Sequence, residues 1–129
     1  MKATLISIYA GGALHVGWAV FHLLFPRIFK WKTALEPLDQ INARIYQVLN
    51  LCLTFYFVVA AYISFRFGPE LLQPGLGTKL CAVFGAFWLL RLGLQFRFFR
   101  AAHPVSLLLI VLFALTMGTY FYPLMHGVH

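Results

Sequence analysis

Only three carboxylates occur in this chain, Glu36, Asp39 and Glu70, and each falls between four long apolar stretches, never within one. About 20 apolar residues without an acid are enough, as a helix, to cross roughly 30 Å of hydrocarbon. The stretches run over residues 3–25, 45–65, 78–99 and 104–125 of 129, which leaves no room for a soluble domain. Charged residues make up 10% of the chain and apolar ones 62%, whereas about a quarter of a soluble domain is charged. The expected fold is therefore all-α and integral to the membrane, a single domain forming a four-transmembrane-helix bundle.

The breaks between stretches follow from backbone chemistry. Proline has no amide to give to a helix interior, so Pro26 should end the first span and Gly68-Pro69 the second, while His103-Pro104 should turn the third into the fourth. Residues 27–44 mix Trp31, Leu35, Leu38 and Ile41 with Lys30, Lys32, Glu36 and Asp39. That mixture suits an interfacial segment. Asp39 is placed to cap the second helix by accepting one of its unpaired amides. The first span is longer than a typical signal-peptide core, contains His15 and His22, and is followed by a basic aromatic segment, so it is expected to stay in the mature protein. Cys52 and Cys81 lie toward opposite ends of their spans, outside any CxxC motif, and are expected to be unpaired.

Lysine and arginine set the orientation. Lys2, Arg66 and Lys79 fall on one side, and Arg27, Lys30, Lys32, Arg44, Arg97 and Arg100 on the other. The more basic side faces the cytoplasm, which puts both termini in the periplasm of a bacterial cytoplasmic membrane. The net charge of +7 then serves topology and contact with anionic membrane lipids, and no nucleic acid partner is expected.

The one remaining base, Arg91, lies about two thirds of the way along the third span, where an ionisable group costs a few kcal/mol unless something solvates it. Counting about 1.5 Å of rise per residue, His15 is nearly level with Arg91. His22, Asn50 and Gln95 fall closer to the same, inner, edge. His15, Trp18 and His22 share a helix face at i, i+3, i+7, as do Trp88, Arg91 and Gln95, and Asn42, Tyr46, Asn50 and Thr54 form an i, i+4 stripe. If the stripes converge, His15, His22, Asn50, Arg91, Gln95, Trp18, Tyr46 and Trp88 enclose a polar pocket flanked by aromatic rings in the inner leaflet. A hydrogen bond from Asn50 is the expected partner of His15. Small residues at Gly11, Gly12, Ala13 and Gly17 should allow the first helix a close neighbour. The fourth span, offering Ser106, Thr116 and Thr119, is expected to be packing or oligomer surface. Most aromatic side chains are expected to face lipid, and His126 and His129 to form a solvated tail.

Three functional readings follow. In the first, the protein is a binding or accessory subunit whose pocket holds the head of an anionic amphiphile, whether a lipid, a fatty acid or a quinone-like molecule, or an acidic residue of a partner subunit. Arginine suits this because its planar fork gives carboxylate or phosphate two parallel hydrogen bonds. A homo-oligomer or a larger membrane complex is the expected context. The second reading is a redox membrane protein carrying b-type haem or a quinone. His15 and His22 are about 10.5 Å apart along one helix and cannot share a metal, so haem would take His22 and His103, with Arg91 or Arg97 on the propionates.

The third reading comes from a resemblance. The chain's four spans and basic inner loops, with Asn42, Arg44 and Asn50 opening the second span, are faintly similar to microsomal glutathione transferases and imply a small membrane transferase. That family's pattern includes an acidic residue within the helix. Positions 43–64 contain none, so glutathione binding is not carried over. Shifting the chain by 70 residues also aligns Trp18 with Trp88, Leu24 with Leu94, Arg27 with Arg97 and Phe29 with Phe99, the pattern of two related helical hairpins.

Reporter fusions test the orientation. Those after Pro69 and after His129 should read periplasmic, and those near Glu36 and Ala102 cytoplasmic. A cytoplasmic C-terminus would reverse the assignment.

Overall fold

The computed structural model describes residues 2–100 and 102–127, and His129, expected in a solvated tail, lies outside them. The described residues form helices and no strand: α1 (Lys2–Leu23), α2 (Phe25–Ile28), α3 (Trp31–Ala34), α4 (Gln40–Arg66), α5 (Gly68–Leu71), α6 (Leu76–Phe98) and α7 (Pro104–His126). Of these, α1, α4, α6 and α7 are long and apolar enough to cross a membrane. The protein is an all-helical integral membrane protein.

The helix ends show local chemistry at work. Asp39 caps α4 as expected, one carboxylate oxygen accepting from the Asn42 amide at 2.7 Å and the other from the Asn42 side chain at 2.9 Å. This cap starts α4 at Gln40, five residues before the hydropathy boundary, because a satisfied first turn can stand in the polar interface. Pro26 and Pro69 each sit in the first turn of a short helix, α2 and α5, where a missing amide costs nothing. His103 and Pro104 open α7 in the same way, the imidazole Nδ1 accepting from the Val105 amide at 3.2 Å. Inside α7, Pro123 cannot donate to the carbonyl of Thr119 four residues back. The Ser7 hydroxyl of α1 donates to that carbonyl instead, at 2.6 Å, which is how a proline is accommodated where no water is present.

Packing follows the order α4, α1, α7, α6, each helix lying antiparallel against the next. Gly11 and Gly12 put α1 close to both neighbours: a Cβ on Gly11 would stand 2.7 Å from the Tyr120 ring of α7, and one on Gly12 3.1 Å from Ser64 and Phe65 of α4. Gly17 meets nothing within 4 Å and Ala13 is exposed, so only half of the small-residue stripe serves contact. Between α4 and α6 the seam is closed by rings instead of close backbone approach. Tyr56 and Phe57 meet Phe84, Phe87 and Trp88 there, with centroids 4.8–6.3 Å apart. The Tyr56 hydroxyl is the one side-chain polar atom buried without a partner among the described residues. Both cysteines are free, Cys52 exposed and Cys81 buried.

Gly11→Ala should destabilise the bundle by about 1–3 kcal/mol, the usual result of overpacking. Gly17→Ala should leave stability unchanged or raise it by up to about 1 kcal/mol, through helix propensity. Thermal unfolding of the two variants in one detergent distinguishes them.

Candidate functional site

His15 occupies the centre of the bundle and is fully buried. The Trp88 indole N–H, which can only donate, lies 3.0 Å from His15 Nε2. That nitrogen is therefore the acceptor, and the ring proton sits on Nδ1. From there it reaches the Gly11 carbonyl at 2.9 Å and the Tyr120 hydroxyl oxygen at 3.0 Å. Tyr120 in turn donates to Ser64, 2.7 Å away, whose own hydroxyl donates to the Ala60 carbonyl at 2.8 Å. One imidazole thus joins α1 to α6 and α7 directly and to α4 through Tyr120. Asn50 is not its partner, contrary to expectation.

Asn50 serves His22 instead. His22 Nδ1 donates to Asn50 Oδ1 at 2.9 Å while the Asn50 amide donates to the His22 carbonyl at 2.8 Å. The antiparallel register of α1 and α4 decides this, since it sets Ser64 beside Gly12 and therefore Asn50 beside His22. The His22 ring stacks on Phe25 with centroids 4.0 Å apart. With Nδ1 carrying the proton, His22 Nε2 keeps an open lone pair with no protein partner among the described residues.

Below His15, toward the connections that carry Arg27, Lys30, Lys32, Arg44, Arg97 and Arg100, residues of the four long helices line a cavity of about 620 Å³. Its lining includes Trp18, His22, Tyr46, Trp88, Arg91 and Gln95, six of the eight residues read from the stripes. Its floor is a group of four rings: Trp88 lies within 5.1–5.7 Å of Trp18, Phe57 and Phe113, at interplanar angles of 14–30°. His15 lies behind this floor and does not line the cavity. Asn50 borders a second, more open cleft of about 890 Å³ between the α2–α3 strap and α4.

Arg91 is half-buried in the cavity wall. Nη1 donates to Gln95 Oε1 at 3.1 Å, and Gln95 is held in turn by donating to Ser106 of α7 at 3.0 Å. The guanidinium carbon lies 4.4 Å from the centre of the Phe113 ring, a cation–π contact that lowers the cost of a charge at this depth. Among the described residues no carboxylate pairs with it. A guanidinium has five N–H donors, and most of those on Arg91 have no protein acceptor. Arg100 and His103 stand at the mouth of the same cavity.

The fourth long helix therefore carries more than was read from it. Ser106, Phe113 and Tyr120 recur every seven residues on α7 and reach Gln95, Arg91 and His15, while Thr116 accepts from the Trp18 indole at 3.1 Å. That heptad spacing was the available signal. It was hidden because two of its three members are aromatic in a chain where rings make up 18% of residues. Most rings are partly or fully exposed, while Trp18, Phe57, Phe84, Trp88, Phe113 and Tyr120 are buried.

The haem pairing of His22 with His103 is not supported. Both line the cavity, and His22 has the free Nε2 and oriented Nδ1 of a typical ligand. His103 spends the lone pair of Nδ1 on capping α7, which leaves the proton on Nε2, so ligation would cost that cap. Among the described residues no group of three or more His, Cys, Asp or Glu is placed to hold a metal ion. Compared with protein families, with curated proteins and with solved structures, the chain matches none.

Replacing Trp88 by Phe should destabilise the fold by about 1–3 kcal/mol, since His15 Nε2 is then a buried acceptor without a donor. Adding His15→Leu to that variant should cost less than the sum of the two single changes, because it removes the orphaned group. A double-mutant cycle by denaturation in detergent reads the difference.

Proposed function

We propose that this protein is a binding or accessory component of a membrane assembly, which holds the oxygen-bearing head of an amphiphile at Arg91 in the cavity at the basic end of its bundle. One observation carries the reading: a guanidinium half-buried among aromatic rings, fixed in position by Gln95, Ser106 and Phe113, and left with most of its donors unused. A charge that merely escaped to the surface would not need this support. A charge meant for a carboxylate of the same chain would have one nearby among the described residues. The missing acceptor is supplied by a carboxylate, a phosphate or a quinone-like oxygen, or by an acidic side chain of a partner subunit, and two parallel hydrogen bonds from the planar fork orient it.

The surrounding rings suit the apolar part adjoining such a head, as in other ligand pockets where a few polar groups are set in an apolar wall. Arg100 and His103 at the mouth extend the attraction for an oxygen-rich group. With the orientation given by the basic connections, the cavity opens toward the cytoplasmic leaflet of a bacterial inner membrane, and both termini are periplasmic.

The test compares co-purified ligand per protein molecule for wild type, Arg91→Lys and Arg91→Leu. Lysine should reduce retention although the charge remains, because an ammonium lacks the two-pronged geometry. Leucine should abolish retention while the bundle still forms, each helix satisfying its own backbone in lipid. Equal retention in all three would remove Arg91 as the anchor.

A further inference from the structure

Among the polar residues that line the cavity, Arg91 and His22 ask for different things. Arg91 offers donors only. His22, with its proton committed to Asn50 Oδ1, offers an acceptor only at Nε2. A head that fills both must accept at one point and donate at another. A deprotonated carboxylate and an oxidised quinone can satisfy Arg91, but each leaves Nε2 facing an acceptor. A phenolic hydroxyl can do what His22 requires, and a second oxygen on the same flat ring can accept from Arg91. The walls favour such a ring: Trp18, Phe57, Trp88 and Phe113 are brought together with near-parallel planes, and aromatic heads gain from offset or edge contact with surfaces of this kind.

We propose that the cavity takes a hydroquinone-type head, one hydroxyl donating to His22 Nε2 and the other oxygen accepting from Arg91, so that the reduced form is bound in preference to an analogue that cannot donate. This rests on the reading of Arg91 given above and makes His22 the residue that sets specificity. Asn50 is then a positioning residue, since it holds the His22 proton on Nδ1 and so keeps Nε2 open.

Calorimetric titration of the purified full-length protein in mild detergent, without oxygen, tests this with three probes. They are tetramethylhydroquinone, its dimethyl ether, and dodecanoate. Wild type should bind the hydroquinone about tenfold or more tighter than the ether, because a site built around a hydroxyl rejects the analogue lacking it. His22→Phe should lose that preference while Arg91→Leu loses binding of the hydroquinone altogether. The comparison of hydroquinone with ether needs only wild type, so it stands even if His22→Phe does not fold. Equal affinity for hydroquinone and ether would overturn the inference. Arg91-dependent binding of dodecanoate alongside that equality would leave the pocket reading in place and reject only the hydroquinone. If no probe bound in an Arg91-dependent way, both would be rejected.

Discussion

Everything in this bundle depends on how polar groups are satisfied where no water reaches them, and the His15 hub is the clearest case. In hydrocarbon an unpaired donor or acceptor costs several kcal/mol, and small-residue packing supplies much of the remaining helix association. His15 combines the two. The Tyr120 ring comes up against α1 because Gly11 presents no side chain, and the His15 nitrogens tie α1 to Trp88 of α6 and Tyr120 of α7. Neighbouring polar residues follow the same rule by pairing across helices: Ser7 with the Thr119 carbonyl, Trp18 with Thr116, Asn50 with His22, Gln95 with Ser106.

Against that background the open valences at Arg91 and His22 stand out. The fold spends a hydrogen bond, a glutamine and a phenylalanine ring on holding the guanidinium in place, and two hydrogen bonds on fixing the His22 segment to α4. It leaves the remaining donors of one and the lone pair of the other facing a common cavity. Rigid placement combined with incomplete satisfaction is the usual signature of a binding group, because preorganisation lowers the entropy lost when a ligand arrives.

The sequence made the spans legible because hydropathy over 20 residues is a strong signal, and the Asp39 cap and the Pro104 start because each rests on one local rule. The i, i+3, i+7 stripes include Trp18, His22, Trp88, Arg91 and Gln95, which line one cavity. They went too far with His15, since a stripe gives direction around a helix but not where along it the bundle closes. The partner of Asn50 depended on the register of α1 against α4, a tertiary quantity that depth estimates good to a turn cannot resolve. Phe113 and Tyr120 were illegible one at a time because an aromatic residue in an apolar helix reads the same whether it faces lipid or a guanidinium. Only the seven-residue recurrence with Ser106 separated them.

The proposed function requires that a particular molecule, and not bulk lipid, occupy the cavity beside Arg91. A photoreactive benzoylphenylalanine placed at Leu53, a partly buried residue of the cavity wall, can be compared with one at Phe55, which is 70% exposed on the same helix. After illumination in native membranes, mass spectrometry of the intact protein reads what each position touches. Occupancy by one molecule should give one discrete adduct at position 53 that disappears in the Arg91→Leu background, and at position 55 a spread of masses matching the bulk phospholipids. The same bulk-lipid spread at both positions, unchanged by Arg91→Leu, would contradict it.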